Sequence, residues 1–175
     1  MACLLTSGRA LPCKNSVGGL KAVYFADYGT LGDVTIVSGE ITAIAGTPDF
    51  YKYDIKGSSS LETAITSSRE NGTTFYTQTL NLTLTTLDKA TQEQIKLLSV
   101  SRPHIAVEDY NGNFFLVGLE HGSEVTGGSI ASGATMADAS SFSLTFEAME
   151  KSPANFTVST VVTANESAAQ IDPNA

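Results

Sequence analysis

Two histidines, His104 and His121, are the only imidazoles in the 175-residue chain, so they bound the chemistry it can carry. A nucleophilic triad would need one of them between Asp109 and a Ser or Cys. Those residue types are present, but no spacing in the sequence brings them together. Glu120-His121 with Glu124 supplies metal-ligand types at loose, mixed spacing, short of a recognisable zinc pattern. Asp109-Tyr110-Asn111-Gly112-Asn113 resembles part of a calcium loop but lacks the acidic residue that closes one. A tight hairpin turn explains the same residues better. Gly127-Gly128 has no phosphate-loop context. Tyr51 and Tyr53, two apart on an alternating run, could stack on a sugar or simply pack. The sequence therefore predicts no catalytic residue, no cofactor and no metal.

Composition narrows the field in the same direction. The net charge is −8, and the ten basic residues form no cluster. Phosphate-gripping surfaces need clustered Lys and Arg, so direct nucleic-acid binding is not expected. Charged residues make up only 16% of the chain, against about a quarter in a typical globular protein. A surface so poor in charge and rich in Thr and Ser fits one covered by copies of itself. Cys3 and Cys13 read as ordinary thiols in a reducing compartment, with a disulfide between them left open. Four Asn-X-Thr/Ser sequons, at Asn71, Asn81, Asn155 and Asn165, are expected by chance in a Thr-rich chain. The start, Met1–Leu5, lacks the basic region of a signal peptide. No apolar run approaches the roughly 20 residues of a membrane helix.

The elements that must position these residues are mostly strands. Residues 1–19 read as an irregular arm, 20–162 as one β-domain and 163–175 as a polar tail. Alternation predicts strands at Leu20–Asp27, Phe50–Lys56 and Ser141–Glu150, with further short strands at Val34–Val37, Ile41–Ile44 and Phe156–Val162. Gly122–Asp138, a small-residue segment rich in Gly, Ser and Ala, reads as a loop around a short strand at Val125–Ile130. Asn71-Gly72 predicts a long protruding hairpin over about 61–86, closed by a two-residue turn. Its register pairs Leu61 with Leu82, Thr63 with Leu80 and Ile65 with Gln78. Leu61, Thr63, Ile65, Leu80 and Leu82 then share one face, and the apolar stripe ends near Ile65 and Gln78. Asn111-Gly112 predicts a second hairpin, with Ile105 and Val107 beside Leu116 and Gly118. Ala106, Phe115, Val117 and Leu119 fall on its other face, which the helix or a neighbouring chain would cover. Between the hairpins, residues of about 87–100 place Leu87, Ala90, Thr91, Gln94, Ile95 and Leu98 on one side of a flanking helix. Thr86 or Asp88 caps it, and Arg102-Pro103 ends it. Eight or nine strands and one helix suggest a β-barrel or sandwich.

Three stretches resemble the tail tube proteins of contractile or long-tailed bacteriophages, particularly those infecting Bacteroidetes. They are MACLLTSGRALPCKNSVGGLKAVYFADYG (1–29), FYKYDIKGSSSLETAITSSRENGTTFYTQTLNLTLTTLDKATQEQIKLLSVSRPHIAVEDYNGNFFLVGLEHG (50–122) and SGATMADASSFSLTFEAMEKSPANF (132–156). The likeness lies in strands and turns rather than in a catalytic signature, and it stops at Thr157.

The resemblance implies a β-barrel or sandwich with one flanking helix, assembled into six-fold rings that stack into a hollow tube. The tube would be a structural part of the virion tail, built in the bacterial cytoplasm, and phage DNA would pass through it unbound at ejection. Further partners would be sheath, tail terminator and baseplate proteins. The subunit contacts expected on this reading are Arg69, Glu70, Asn71, Gly72, Phe75 and Tyr76 on the hairpin, and Gly127, Gly128 and Met136 in the small-residue segment. Two alternatives stand beside it. One is a ring or adaptor protein of a short tail, or the inner tube of a tail-derived injection device. The other is a carbohydrate-binding β-sandwich using Tyr51 and Tyr53.

Overall fold

A computed structural model describes residues 4–173, and Cys3 lies outside that range. The chain forms β1 (Leu20–Ala26), β2 (Val34–Val37), β3 (Glu40–Ile44), β4 (Tyr51–Asp54), β5 (Ser60–Ser68), β6 (Thr73–Thr85), α1 (Lys89–Val100), β7 (His104–Asp109), β8 (Phe114–Val117), β9 (Glu124–Ala131), β10 (Ser141–Glu150), β11 (Asn155–Thr157) and α2 (Ser159–Thr163). The strands make two sheets. A seven-stranded sheet has the order β2-β3-β11-β8-β7-β1-β4, and a four-stranded sheet the order β5-β6-β10-β9. No strand of one pairs with a strand of the other, so the expected barrel is not closed and the layers meet only through side chains. The main core lies between them. Val23, Phe25, Ile105, Val107 and Val117 of the large sheet face Leu80, Leu82, Phe142, Leu144, Phe146 and Ala148 of the small one, and Ile95 of α1 joins them.

The alternation of β10 survives intact: Phe142, Leu144, Phe146 and Ala148 are buried, while the residues between them stay more open. The helix also follows its sequence signals. Asp88 caps it by accepting the Thr91 N–H at 2.8 Å, Thr91 and Ile95 are buried, and Leu87 and Leu98 pack on the core.

Both Asn-Gly hairpins close differently from expectation. In the first, Ser68 pairs with Thr73 and Leu61 with Leu80, leaving Arg69–Gly72 as a four-residue loop. Only Gly72 has a positive φ; Asn71 does not, so a type I′ turn, which needs both, cannot form. The pairing thus slips by two residues, an even number, and the same side chains keep the inner face. In the second, Asp109 accepts the N–H groups of Asn111 and Asn113, and the Asp109 N–H bonds the Asn113 carbonyl. Gly112, with φ 82°, closes a three-residue loop. Ile105 then pairs with Val117 and Val107 with Phe115. This slip is one residue, so Phe115 and Val117 join the face of Ile105 and Val107, and Leu116 moves to the other. The two-residue turn with positive φ at both positions occurs instead at Ser38-Gly39, where Val37 pairs with Glu40.

The second face of the large sheet is covered by neither α1 nor another chain. Ala22, Tyr24, Ala106, Phe114 and Leu116 pack there against Leu31, Ile41, Phe50 and Val162. Val162 belongs to α2, where a strand over Phe156–Val162 is expected. The β-branched pair Val161-Val162 favours a strand locally, but the helix buries both, Val162 on this face, and that decides the matter. The structure therefore has eleven strands and two helices among the described residues. The start of the polar tail is tied down as well. The Phe50 N–H bonds the Asn165 carbonyl, and the Ser167 N–H bonds the Phe50 carbonyl. Residues 4–19 are exposed, held at their root by the Asn111 amide, which bonds both the N–H and the carbonyl of Val17.

Candidate functional site

The chemistry-bearing side chains are used by the fold. His104 is buried. Its Nε2 accepts the Gly29 N–H at 3.1 Å, so Nδ1 carries the proton and donates to the Gly118 carbonyl at 2.6 Å. Asp109, at the far end of β7, spends its carboxylate on its own turn. The two do not meet. Glu124 is not the partner of Glu120-His121; Glu150 is, with ligand-type atoms of all three within 4.8 Å. Glu150 Oε1, however, accepts the N–H groups of Glu120 and His121 at 3.1 and 2.9 Å. Tyr53 packs its ring edge-on against Phe25 at 5.1 Å, and burial pushes its hydroxyl pKa up, with Asp88 adding to the effect. Tyr51 and Tyr53 both line a cleft of about 390 Å³, which the tail residues Ala169 and Ile171 also line, and of the two tyrosines Tyr51 is the exposed one.

His104, Glu120-His121 and Glu150 converge on one corner, where the chain leaves the large sheet after β8 and enters the small one at β9. The Gly118 N–H donates to Gln78 Oε1, and Gln78 Nε2 donates to the Ser152 carbonyl. His104 holds the Gly118 carbonyl, and Glu150 holds the next two peptide groups. Outside the corner, the Tyr28 ring stacks on His104 at 5.2 Å, and the Arg102 guanidinium lies 4.5 Å over Tyr28. No sequence signal marks Gln78 or Glu150 as buried, because each occupies an inward position of a strand that reads as polar there.

Burial holds the His104 pKa below its ordinary value, against the opposing pull of its Gly118 bond and of Glu150. The unfolded chain therefore binds the extra proton first as pH falls. The stabilisation from His104 is complete above its unfolded pKa of about 6.5 and is lost as pH drops below it. Protonation also breaks the Gly29 bond and adds a cation beneath a ring already facing Arg102. Urea midpoints should fall between pH 7.5 and 5.5, and His104→Gln should flatten that slope. An equal slope in both proteins would show that His104 is not the group responsible.

The remaining distinctive surface is the small sheet. Its inner face is core. Its outer face, read from the register, carries Ser60, Glu62, Ala64 and Thr66 on β5 and Thr77, Thr79, Asn81, Thr83 and Thr85 on β6. Ser141, Ser143, Thr145 and Glu147 follow on β10, and Glu124, Gly127 and Ser129 on β9. No Lys or Arg occurs in any of the four strands. The face is mostly hydroxyl, with three carboxylates, two of which, Glu124 and Glu147, sit directly opposite each other. Towards the hairpin it also carries the exposed Phe75 and Met149, which pair with Thr66 and Thr77.

Both edges of this sheet are free. β5 bears the hairpin, and β9 bears Gly127 and Gly128 at the other edge. A Cβ on Gly128 would lie 2.5 Å from the Ser143 carbonyl oxygen, so glycine there permits the close approach of β10. Arg69, Glu70, Asn71 and Gly72 form the exposed hairpin loop. Phe75 and Tyr76 point to opposite faces, as adjacent strand residues must, so they cannot anchor one contact together. Tyr76 pairs with Ile65 and Glu150; beyond that row the hairpin loses β10 as a neighbour, and Ile65 is 68% exposed. Met136 is fully exposed in the loop joining β9 to β10, at the opposite end of the sheet from the hairpin tip.

Compared with known proteins, the chain matches no protein-family model and no curated protein.

Proposed function

We propose that the protein is the tail tube subunit of a bacteriophage, a structural protein whose work is self-assembly. The observation that carries this reading is the four-stranded sheet with two free edges and a cation-free outer wall. All its strands alternate in direction, so β5 and β9 run oppositely. Rotation about a ring axis preserves strand direction. The β9 of one copy therefore meets the β5 of the next as an antiparallel neighbour, whatever the number of copies. Free strand edges invite such pairing, and a head-to-tail ring needs two unlike surfaces that close. Six copies per ring is what the resemblance implies.

In such a ring the outer face of the sheet becomes the wall of the lumen. Glu62, Glu124 and Glu147 repel phosphate, and the Thr and Ser around them offer no cation to hold it, so DNA slides rather than binds. The hairpin tip and the Met136 loop, at opposite ends of the strands, would meet between stacked rings.

Negative-stain electron microscopy of the purified chain tests this, with rings or tubes expected. A variant lacking Ser68–Thr74 should remain folded by circular dichroism and form no tubes. A monodisperse monomer of the unaltered chain at high concentration overturns the reading.

A further inference from the structure

One row of side chains crosses the whole large sheet on its core side. From the pairings it runs Tyr53, Val23, Val107, Phe115, Phe156, Glu40, Val37. Exposure rises along it. Val23 and Val107 are sealed under the small sheet, Phe115 is half-buried, and Phe156 and Val37 are 50% and 56% exposed. The small sheet thus stops short, and β11, β3 and β2 add nothing to the core between the sheets. Phe115 and Phe156, with ring centroids 4.7 Å apart, form an aromatic step with no cover. A cleft of about 390 Å³, lined by Leu61, Thr63, Phe115, Ala154 and the root of the N-terminal arm at Val17, lies between that step and the free edge of β5.

The opposite flank has the reverse deficit. On β9 the inward positions are Val125, Gly128 and Ile130. Ile130 is 53% exposed, although its cross-strand neighbour Phe142 is buried. One flank offers a floor with no strand above it, apolar but for Glu40. The other, with α1 beside β9, leaves Ile130 uncovered on the inward face of the strand.

We propose that Phe115, Phe156 and Val37 are the seat for the β9 strand of a second copy, whose Ile130 covers the aromatic step. This rests on the edge-to-edge ring argued above and adds a second layer to it. A strand added to β5 continues the small sheet over the overhang, and its inward side chains point at that row. β9 is the strand with a free edge, the right direction and an uncovered apolar residue, Ile130, on the required face. The contact joins a buried apolar layer to the backbone ladder. It also explains why an aromatic pair stays uncovered in a chain that buries its other core aromatics.

Cysteine pairs test the seat directly. In a background with Cys3→Ser and Cys13→Ser, a mixture of Phe156→Cys and Ile130→Cys proteins is treated with a short bismaleimide. Cross-linked dimers are expected from the mixture, and ladders from the double variant. Phe156→Asp should raise the concentration needed for assembly at least about tenfold, because a carboxylate would be buried against apolar surface. Its melting temperature as a dilute monomer should stay near that of the unaltered chain. If rings form but Phe156→Asp assembles normally and no cross-links appear, the seat is wrong while the tube reading stands. Cross-linking of Phe156→Cys to Leu11→Cys instead would assign the step to the N-terminal arm and overturn the proposal. A chain that never assembles removes both.

Discussion

Phe146→Ala is expected to destabilise the folded chain by about 3–5 kcal/mol, the usual cost of emptying a large buried aromatic site. Phe146 is fully buried at the middle of β10 and is flanked in its sheet by Leu80 and Val125. Its ring lies 5.3 Å from that of Phe25 on the opposite sheet. Because no strand pairs across the two layers, such side-chain contacts are what hold them together. Neighbouring residues are fixed by two backbone ladders and cannot collapse into the space. Against a typical total stability of about 5–15 kcal/mol, the loss is a third or more. Urea unfolding followed by tyrosine fluorescence would measure it, since the chain contains no tryptophan. A change below about 1 kcal/mol would mean that the layers are held by something other than this interlock.

The second large effect is expected at a residue that does not look like core. Gln78 is 1% exposed and is engaged at both ends of its amide, by the Gly118 N–H and by the Ser152 carbonyl. Gln78→Ala removes both bonds and opens a cavity. The orphaned Gly118 N–H alone costs about 1–3 kcal/mol, and lost packing adds to that. Gln78→Leu restores volume but not the acceptor, so it should recover only part of the loss. Hydrogen exchange gives the sharper readout. The Gly118 amide should exchange faster in both variants, while amides in the middle of β10 slow or quicken only with global stability. Unchanged protection at Gly118 would show that the corner is held without Gln78.

The corner also shows why part of this fold was not legible. Glutamine at position 78 marks, by residue type, the end of an apolar stripe, and the sequence reading placed the limit of the core there. The limit on β5 does lie near that row, because Ile65 opposite Tyr76 is exposed. On β6, Gln78 is core. Its burial is compatible with its chemistry only because a chain segment 40 residues away brings a peptide N–H to it. Similarly, Glu150 follows the inward parity of β10, but a buried carboxylate needs donors, and these come from Glu120 and His121.

The two hairpins mark the boundary between local and non-local information most clearly. Asn-Gly located both turns correctly. Loop length goes with local hydrogen bonding that the dipeptide alone does not encode: the Asp109 carboxylate in one case, the Ser68 hydroxyl accepting the Asn71 N–H in the other. An error of two residues cost nothing, because side-chain direction repeats every two. An error of one residue exchanged Leu116 for Val117 in the main core.

The sequence by itself determined what repeats within a few residues. It marked the strands β1 and β10 and their buried faces, α1 with Asp88 as one of two candidate caps, the positions of the turns, and the low charge content of the chain. Only the tertiary structure decided the order of strands, the division into two unclosed sheets, and α2 in place of a final strand. It also decided that Phe156 and Ile130 lie uncovered on opposite flanks of the sandwich. Alternation states which side chains share a face of a strand, but neither which strand lies beside it nor what lies above it. Those depend on residues tens of positions apart competing for the same core, and that competition left the two edges of the small sheet open.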